Sequence, residues 1–147
     1  MLLNISYNQP KIREKIIEEV GVPFTLVQRF KMNGIGSPKL YITETSIDIH
    51  NIRVLDRNTQ SCNIEMRPRG IIIIFRSLLD TFALVIPYYK LYLYKGKSYE
   101  YSIHRDHSFI KVKGDTPEIH NFMKKILDYK VDNAPTGIED LRNDPGF

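Results

Sequence analysis

The chain contains very little cysteine, since Cys62 is the one cysteine among its 147 residues. A single cysteine cannot form a disulfide within the chain, and such usage is typical of proteins from a reducing compartment. No His or Lys lies near Cys62 in the sequence to activate its thiol. We therefore predict a cytoplasmic protein in which Cys62 is a small buried side chain on a strand.

The chain also lacks a long uninterrupted apolar run. Residues 1–7 show no basic region followed by an apolar stretch, so we expect no signal peptide. The most apolar stretch, residues 70–87, contains Arg76 and Asp80. Each such charge costs about 2.5–3.5 kcal/mol at the centre of a membrane helix. Two buried strands joined at residues 77–80 explain this stretch better, which predicts a soluble protein, cytoplasmic or peripheral to the inner face of the membrane.

Motifs for catalysis are missing as well. The Gly-Ile-Gly run at residues 34–36 is not followed by Lys-Ser/Thr and does not open a helical pattern, and no Gly-x-Ser-x-Gly elbow occurs. His104, Asp106 and His107 form the most ligand-like cluster, but so short a cluster is more typical of a polar hairpin turn than of a metal site. We therefore predict no enzyme activity, no catalytic residue, no metal and no cofactor.

Length and composition indicate one globular domain. Hydrophobic residues make up 42% of the chain and charged residues 26%, which is ordinary for a folded domain. The net charge of +4 is unevenly distributed, because residues 53–113 carry 11 Lys or Arg against 5 Asp or Glu. We predict a single domain over residues 1–131, followed by a polar tail over residues 132–147.

Two segments have helical periodicity. A short N-terminal helix is predicted over residues 9–20, with a proline in its first turn and Gly21 at its end. Its charged residues, Glu19 among them, are expected to face away from the core. A C-terminal helix is predicted from residue 117 to residue 131, because Asp115 and Thr116 provide a cap and an apolar stripe follows at helical spacing. That stripe consists of Ile119, Phe122, Met123, Ile126, Leu127 and Val131.

Short segments of alternating apolar and polar residues fill the chain between these helices, and they are separated by turn residues. This pattern predicts a mainly β, α+β domain: an antiparallel barrel or sandwich of about seven to nine short strands closed by the C-terminal helix. Residues 71–75 are wholly apolar, which is typical of a strand buried on both faces. The predicted strands are residues 24–32, 40–43, 46–50, 62–66, 71–75, 81–86, 91–94, 99–104 and 109–113.

Tyrosines are interleaved with lysines near residue 90. Tyr92 and Tyr94 alternate with Leu91 and Leu93, so their rings either pack within the fold or form an exposed aromatic surface. Tyr99 and Tyr101 share a strand face with Ile103, and for these two rings we predict packing. Together with Lys90, Lys95 and Lys97, exposed tyrosines would make an aromatic and basic surface.

The order of elements resembles the pleckstrin-homology-like superfamily, in its bacterial form and in GRAM domains. Residues 40–49, Leu-Tyr-Ile-Thr-Glu-Thr-Ser-Ile-Asp-Ile, look like the β-corner of such domains. Residues 86–91, Ile-Pro-Tyr-Tyr-Lys-Leu, look like the segment that leads into a middle strand. The resemblance covers residues 24–130, although the chain has no tryptophan, which eukaryotic members usually carry in the last helix. It implies a PH-like scaffold that binds lipid headgroups, peptides or copies of itself.

Three functions compete on these observations. The first is a protein-interaction or self-assembly module that uses a strand edge or the tyrosine-rich face. The second is peripheral binding of anionic lipid headgroups or another anionic ligand, and the third, weaker on charge and motifs, is binding of single-stranded nucleic acid. The predicted ligand-binding residues are Arg29, Lys31, Lys39, Lys90, Tyr92, Tyr94, Lys95 and Lys97.

Overall fold

The computed structural model describes residues 1–56, 60–97 and 99–133. Eight antiparallel strands form a sheet in the order β1-β5-β4-β3-β2-β8-β7-β6. The predicted mainly β class, with an N-terminal and a C-terminal helix, is confirmed, but the sheet is not closed into a barrel. The elements are β1 (Leu2–Asn4), α1 (Pro10–Val20), α2 (Leu26–Lys31), β2 (Leu40–Thr45), α3 (Ile47–Arg53), β3 (Ser61–Arg67), β4 (Gly70–Ser77), β5 (Asp80–Pro87), a 3-10 turn (Tyr88–Lys90), β6 (Tyr92–Lys95), β7 (Glu100–Arg105), β8 (Ser108–Lys113) and α4 (Pro117–Asp132).

Strand β2 joins the two halves of the sheet. Leu40 and Tyr41 pair with β3, whereas the rest of β2 pairs with β8. The register shifts between Ile42 and Glu44, and such an irregularity bends a strand. Residues from both halves of the sheet consequently contribute to one continuous apolar core. Its fully buried members include Leu40, Ile64, Met66, Ile71, Ile73, Phe75, Leu84, Ile86, Ile103 and Ile110.

Helix α4 covers this core, and the sequence prediction for it is confirmed. The Thr116 hydroxyl accepts a hydrogen bond from the backbone N–H of Ile119 at 3.3 Å, and Pro117 occupies the first turn. Ile119, Phe122, Met123 and Ile126 are buried, but the stripe is narrower than predicted because Leu127 and Val131 remain exposed. The predicted tail lies outside the described residues from residue 134 onward.

Helix α1 covers the outer face of β4 and β5. Val20 packs there in a second apolar cluster with Ile72, Ala83 and Val85. Residues 71–75 are therefore covered on both faces, as their composition predicted. The exposed position predicted for Glu19 is wrong, because its carboxylate accepts a hydrogen bond from Arg105 Nη1 at 2.6 Å.

The predicted strand over residues 24–32 is wrong, because most of this segment forms helix α2. A capping box begins it: the Thr25 hydroxyl accepts from the backbone N–H of Gln28, and the Gln28 side chain accepts from the backbone N–H of Thr25. Arg29 Nε also donates to the Phe24 carbonyl at 3.1 Å. Local hydrogen bonds therefore stabilise a helix in this segment, although the apparent alternation of apolar and polar residues predicts a strand.

The predicted strand over residues 46–50 is also wrong, since α3 begins at Ile47. Ser46 precedes the helix in an extended conformation, and its hydroxyl accepts from the backbone N–H of Phe109 at 3.0 Å. Ile49 is fully buried, and Ile52 packs against the core three residues later. The second strand of the β-corner expected from the family resemblance is therefore replaced by a helix.

Cys62 is buried on β3, in agreement with its predicted role as a small apolar side chain. Burial raises the pKa of the Cys62 thiol to about 12, and the nearby positive charge of Arg53 opposes this rise only in part. Within the described residues, no helix has the length and apolar character needed to cross a membrane.

Candidate interaction surface around strand β6

Strand β6 lies at one end of the sheet, where among the described residues it pairs only with β7. The backbone N–H of Gly96 donates to the Glu100 carbonyl at 2.7 Å, which fixes the phase of the hydrogen-bonded pairs. Antiparallel pairing alternates, so Tyr94 exchanges hydrogen bonds with Ser102 and the backbone groups of Leu93 and Lys95 point away from β7. This edge can accept a further strand.

A side chain of helix α4 already occupies the start of the β6 edge. Lys130 Nζ donates to the Leu91 carbonyl at 2.8 Å, and Leu91 has the same outward phase as Leu93 and Lys95. The available part of the edge is therefore short, from Leu93 to Lys95.

Two tyrosines flank this edge with most of their rings in solvent. Tyr92 is 70% exposed and Tyr94 is 51% exposed. Of the two alternatives that the sequence left open for these rings, the exposed aromatic surface is therefore the one observed. The other tyrosine prediction is half correct. Tyr101 is buried and its hydroxyl lies 2.6 Å from His120 Nδ1, whereas Tyr99 lies exposed in the turn with a φ of 58°.

An aromatic row, defined as Tyr94, His104 and Phe109, runs from the edge across β7 to β8. The ring centroids of Tyr94 and His104 lie 5.3 Å apart, and those of His104 and Phe109 lie 5.1 Å apart. Lys111 Nζ lies 5.6 Å from the Phe109 centroid and 3.1 Å from Glu44 Oε2. His104 and Phe109 were not predicted as site residues, because their position beside Tyr94 depends on the register between strands.

The half-buried ring of His104 has a lowered pKa. Burial lowers it below the ordinary value of 6.5, and the positive charge of Lys111 lowers it further. The folded state therefore favours the neutral ring, and below about pH 6.5 the unfolded chain binds more protons at this site. The stability contributed by neutral His104 is complete above about pH 6.5 and is lost as the pH falls.

Replacement of His104 by phenylalanine is expected to reduce the acid sensitivity of folding. Phenylalanine keeps a ring between Tyr94 and Phe109 but cannot be protonated. Urea unfolding between about pH 7.5 and pH 5 should show a smaller loss of stability for His104→Phe than for the wild type. All other titrating groups are common to the two proteins, so identical pH slopes would contradict a lowered pKa of His104.

Basic side chains surround the edge. Lys95 and Lys97 are exposed, and Lys90 Nζ lies 3.7 Å from Asp106 Oδ2. Residues 88–99 include no Asp or Glu. We use the name β6 surface for Lys90, Tyr92, Tyr94, Lys95 and Lys97.

The other three predicted site residues lie outside the β6 surface. Arg29 and Lys31 belong to α2, and Lys39 precedes β2 with its Nζ 5.8 Å from the Tyr41 ring centroid. The eight predicted residues thus fall on different elements, with the largest group at β6.

A cleft of about 690 Å³ lies where β2 meets α3, and sequence analysis did not predict it. Ser46, His50 and Arg53 line it, and Arg53 Nη1 lies 3.4 Å from the Thr45 hydroxyl. The sequence gives no signal for this cleft, because the alternation of residues 46–50 predicts a strand, whereas His50 lies on helix α3.

Neither metal geometry nor similarity identifies a function. Within residues 1–56, 60–97 and 99–133, no group of three or more His, Cys, Asp or Glu side chains is arranged to hold a metal ion. Comparison of the chain with protein-family models, curated proteins and solved structures gives no match. Function is therefore inferred from the surfaces themselves.

Proposed function

We propose that this chain is a protein-interaction module that binds an extended segment of a partner by strand addition along β6. The observation that supports this proposal most directly is that the backbone N–H and C=O groups of Leu93 and Lys95 point away from β7 at the end of the sheet. Unpaired backbone groups of an edge strand supply the hydrogen bonds for a further strand, and alternating side chains supply specificity. Tyr92 and Tyr94 offer rigid, amphipathic contact area beside that edge.

A pleckstrin-homology-like scaffold is part of the proposal. Four sequential strands, β2 to β5, are followed by β6 to β8, and the C-terminal helix lies against the shared core. This order supports the resemblance, as does the bend of β2 from one half of the sheet to the other.

The charge around β6 favours an acidic partner over a second copy of the chain. Antiparallel pairing of two β6 strands through their outward residues would set Lys95 of one copy opposite Lys95 of the other, or, in the adjacent register, Lys97 of each copy opposite Leu91 and beside Lys90 of the other. Like charges placed opposite each other destabilise paired strands. A partner strand that carries Asp or Glu would instead meet Lys95 and Lys97 with complementary charge.

Replacement of Lys95 by proline is expected to weaken strand addition by about tenfold, because proline removes an outward-pointing N–H without breaking a β6–β7 hydrogen bond. The matched control is Lys95→Ala, which removes the same charge but keeps the N–H. Fluorescence anisotropy would measure binding of a labelled synthetic peptide of alternating valine and glutamate.

Two comparisons complete this experiment. A peptide with lysine in place of glutamate should bind far more weakly, and added salt should weaken binding of the acidic peptide. Equal affinity of Lys95→Pro and Lys95→Ala for the acidic peptide would rule out strand addition. Light scattering of the wild type should give a monomer, and a dimer lost in Lys95→Pro would instead favour self-assembly through β6.

A further inference from the structure

Helix α2 exposes an apolar surface that the core does not use. Leu26 is 81% exposed, Val27 64% and Phe30 85%, and none of the six residues of α2 is buried. Single exposed apolar side chains are common on proteins, but a contiguous group on one short helix marks an interaction surface. Val22, just before the helix, is exposed as well.

The helix keeps its conformation without packing those side chains. Its first turn is held by the Thr25–Gln28 capping box, and Arg29 is tied to the Phe24 carbonyl. Phe24 is the buried anchor, with its ring centroid 5.8 Å from that of Tyr129 on α4. After the helix, Lys125 Nζ donates to the carbonyls of Asn33 and Gly34 at 3.3 and 3.2 Å. The apolar residues are therefore displayed on a segment fixed at both ends.

The stretch of sequence that contains α2 carries charge of one sign. Residues 20–43 contain Arg29, Lys31 and Lys39 and no Asp or Glu. Lys31 follows Phe30 at the end of the helix and is exposed; within the described part of the chain it forms no ion pair or hydrogen bond. Exposed apolar side chains next to basic residues that form no ion pair are suited to an anionic lipid bilayer, whose apolar interior lies beneath a layer of anionic headgroups.

We propose that α2 docks the chain on an anionic lipid bilayer by inserting Leu26, Val27 and Phe30 among the lipids while Lys31 faces the headgroups. This site is separate from the β6 surface, which would stay available to a protein partner. The pair Leu78–Leu79 at the β4–β5 turn is also exposed but has acidic neighbours. Asp80 follows it, and the Asp56 carboxylate accepts from the Leu78 N–H at 2.8 Å. An anionic membrane therefore fits α2 better.

The absence of tryptophan from the sequence allows a direct test. Phe30→Trp places a single indole at the proposed insertion point, and Tyr92→Trp places one on the β6 surface, where Lys90, Lys95 and Lys97 provide an equally basic setting. Both full-length variants would be mixed with vesicles of phosphatidylcholine alone and of phosphatidylcholine with phosphatidylserine. We expect a blue shift of the emission for Phe30→Trp with the phosphatidylserine vesicles and none for Tyr92→Trp.

Co-sedimentation with the same vesicles tests the two contributions separately. Leu26→Ala combined with Phe30→Ala should lower binding by more than about tenfold, because apolar burial is lost. Lys31→Glu should lower it by roughly tenfold at low salt. Leu79→Ala removes a side chain that is 90% exposed elsewhere and should bind as the wild type does.

Three results would each overturn the proposal. They are no binding of the wild type to phosphatidylserine vesicles, a blue shift for Tyr92→Trp rather than Phe30→Trp, and unchanged binding of the Leu26→Ala/Phe30→Ala variant. Circular dichroism of each variant, matched to that of the wild type, would show that a loss of binding is not a loss of folding.

Discussion

Replacement of Gly70 by alanine is expected to destabilise the fold by about 3 kcal/mol, in the upper part of the range for overpacked interiors. A Cβ at Gly70 would lie 2.3 Å from the Ile86 carbonyl oxygen and 2.5 Å from Val20 Cγ1. The first atom belongs to the backbone of β5, the strand paired with β4 at this point. Relief of the overlap would require β5 to move away or α1 to shift from the sheet, and urea unfolding would measure the cost.

The matched control for this prediction is Gly36→Ala. A Cβ at Gly36 would meet no atom within 4 Å, so the same chemical change occurs there without overlap. Its effect should stay within about 1 kcal/mol and can be stabilising, because alanine restricts the unfolded chain more than glycine does. Similar losses for Gly70→Ala and Gly36→Ala would contradict the close approach of β4, β5 and α1.

Truncation of Arg105 to alanine is expected to cost about 3 kcal/mol. The Arg105 side chain is 9% exposed, and its Nη1 donates to Glu19 Oε2 and to the Val85 carbonyl, both at 2.6 Å. Removal of one partner from a buried ion pair leaves a charge that is poorly solvated, and this penalty is large. We place the loss at the lower end of the range because the Glu19 carboxylate keeps some contact with water.

A double-mutant cycle with Glu19→Ala isolates this interaction. If the two side chains act as a pair, the double variant should be more stable than the sum of the two single losses implies. Lys90→Ala is the control, because the Lys90–Asp106 pair is longer and more exposed and should contribute less than about 1 kcal/mol. Additive losses for Arg105→Ala and Glu19→Ala would mean that the contact adds no coupling energy.

Local sequence signals predicted elements best where periodicity and end signals agreed. Helix α4 combined a Thr cap, a proline in the first turn and a long apolar stripe, and its predicted bounds are nearly those observed. Residues 24–32 and 46–50 were misassigned because isoleucine, leucine and phenylalanine at short spacings fit both a strand and a helix. In the first case the Thr25–Gln28 capping box, visible in the sequence, was the better guide.

The candidate site was predictable only in part. Alternation with leucines placed Tyr92 and Tyr94 on one side of a strand, but it did not determine whether that side was covered. The aromatic row could not be predicted, because its three rings come together only through the pairing of β6 with β7 and of β7 with β8. The sequence alone does not give the register of these strand pairs. The exposed apolar surface of α2 could not be predicted for a similar reason, because apolar residues are normally expected in the core and the sequence does not show which of them stay uncovered.

The sequence by itself determined the mainly β class, the antiparallel order of the hairpins, the capped C-terminal helix and the buried state of Cys62. Each of these depends on neighbours within a few residues, where periodicity, proline and turn chemistry act directly. Tertiary structure alone decided that β6 is an edge, that Glu19 meets Arg105 across 86 positions, and that Leu26 and Phe30 remain in solvent. Those outcomes follow from which surfaces the folded chain covers, and coverage is a property of contacts between segments that are distant in sequence.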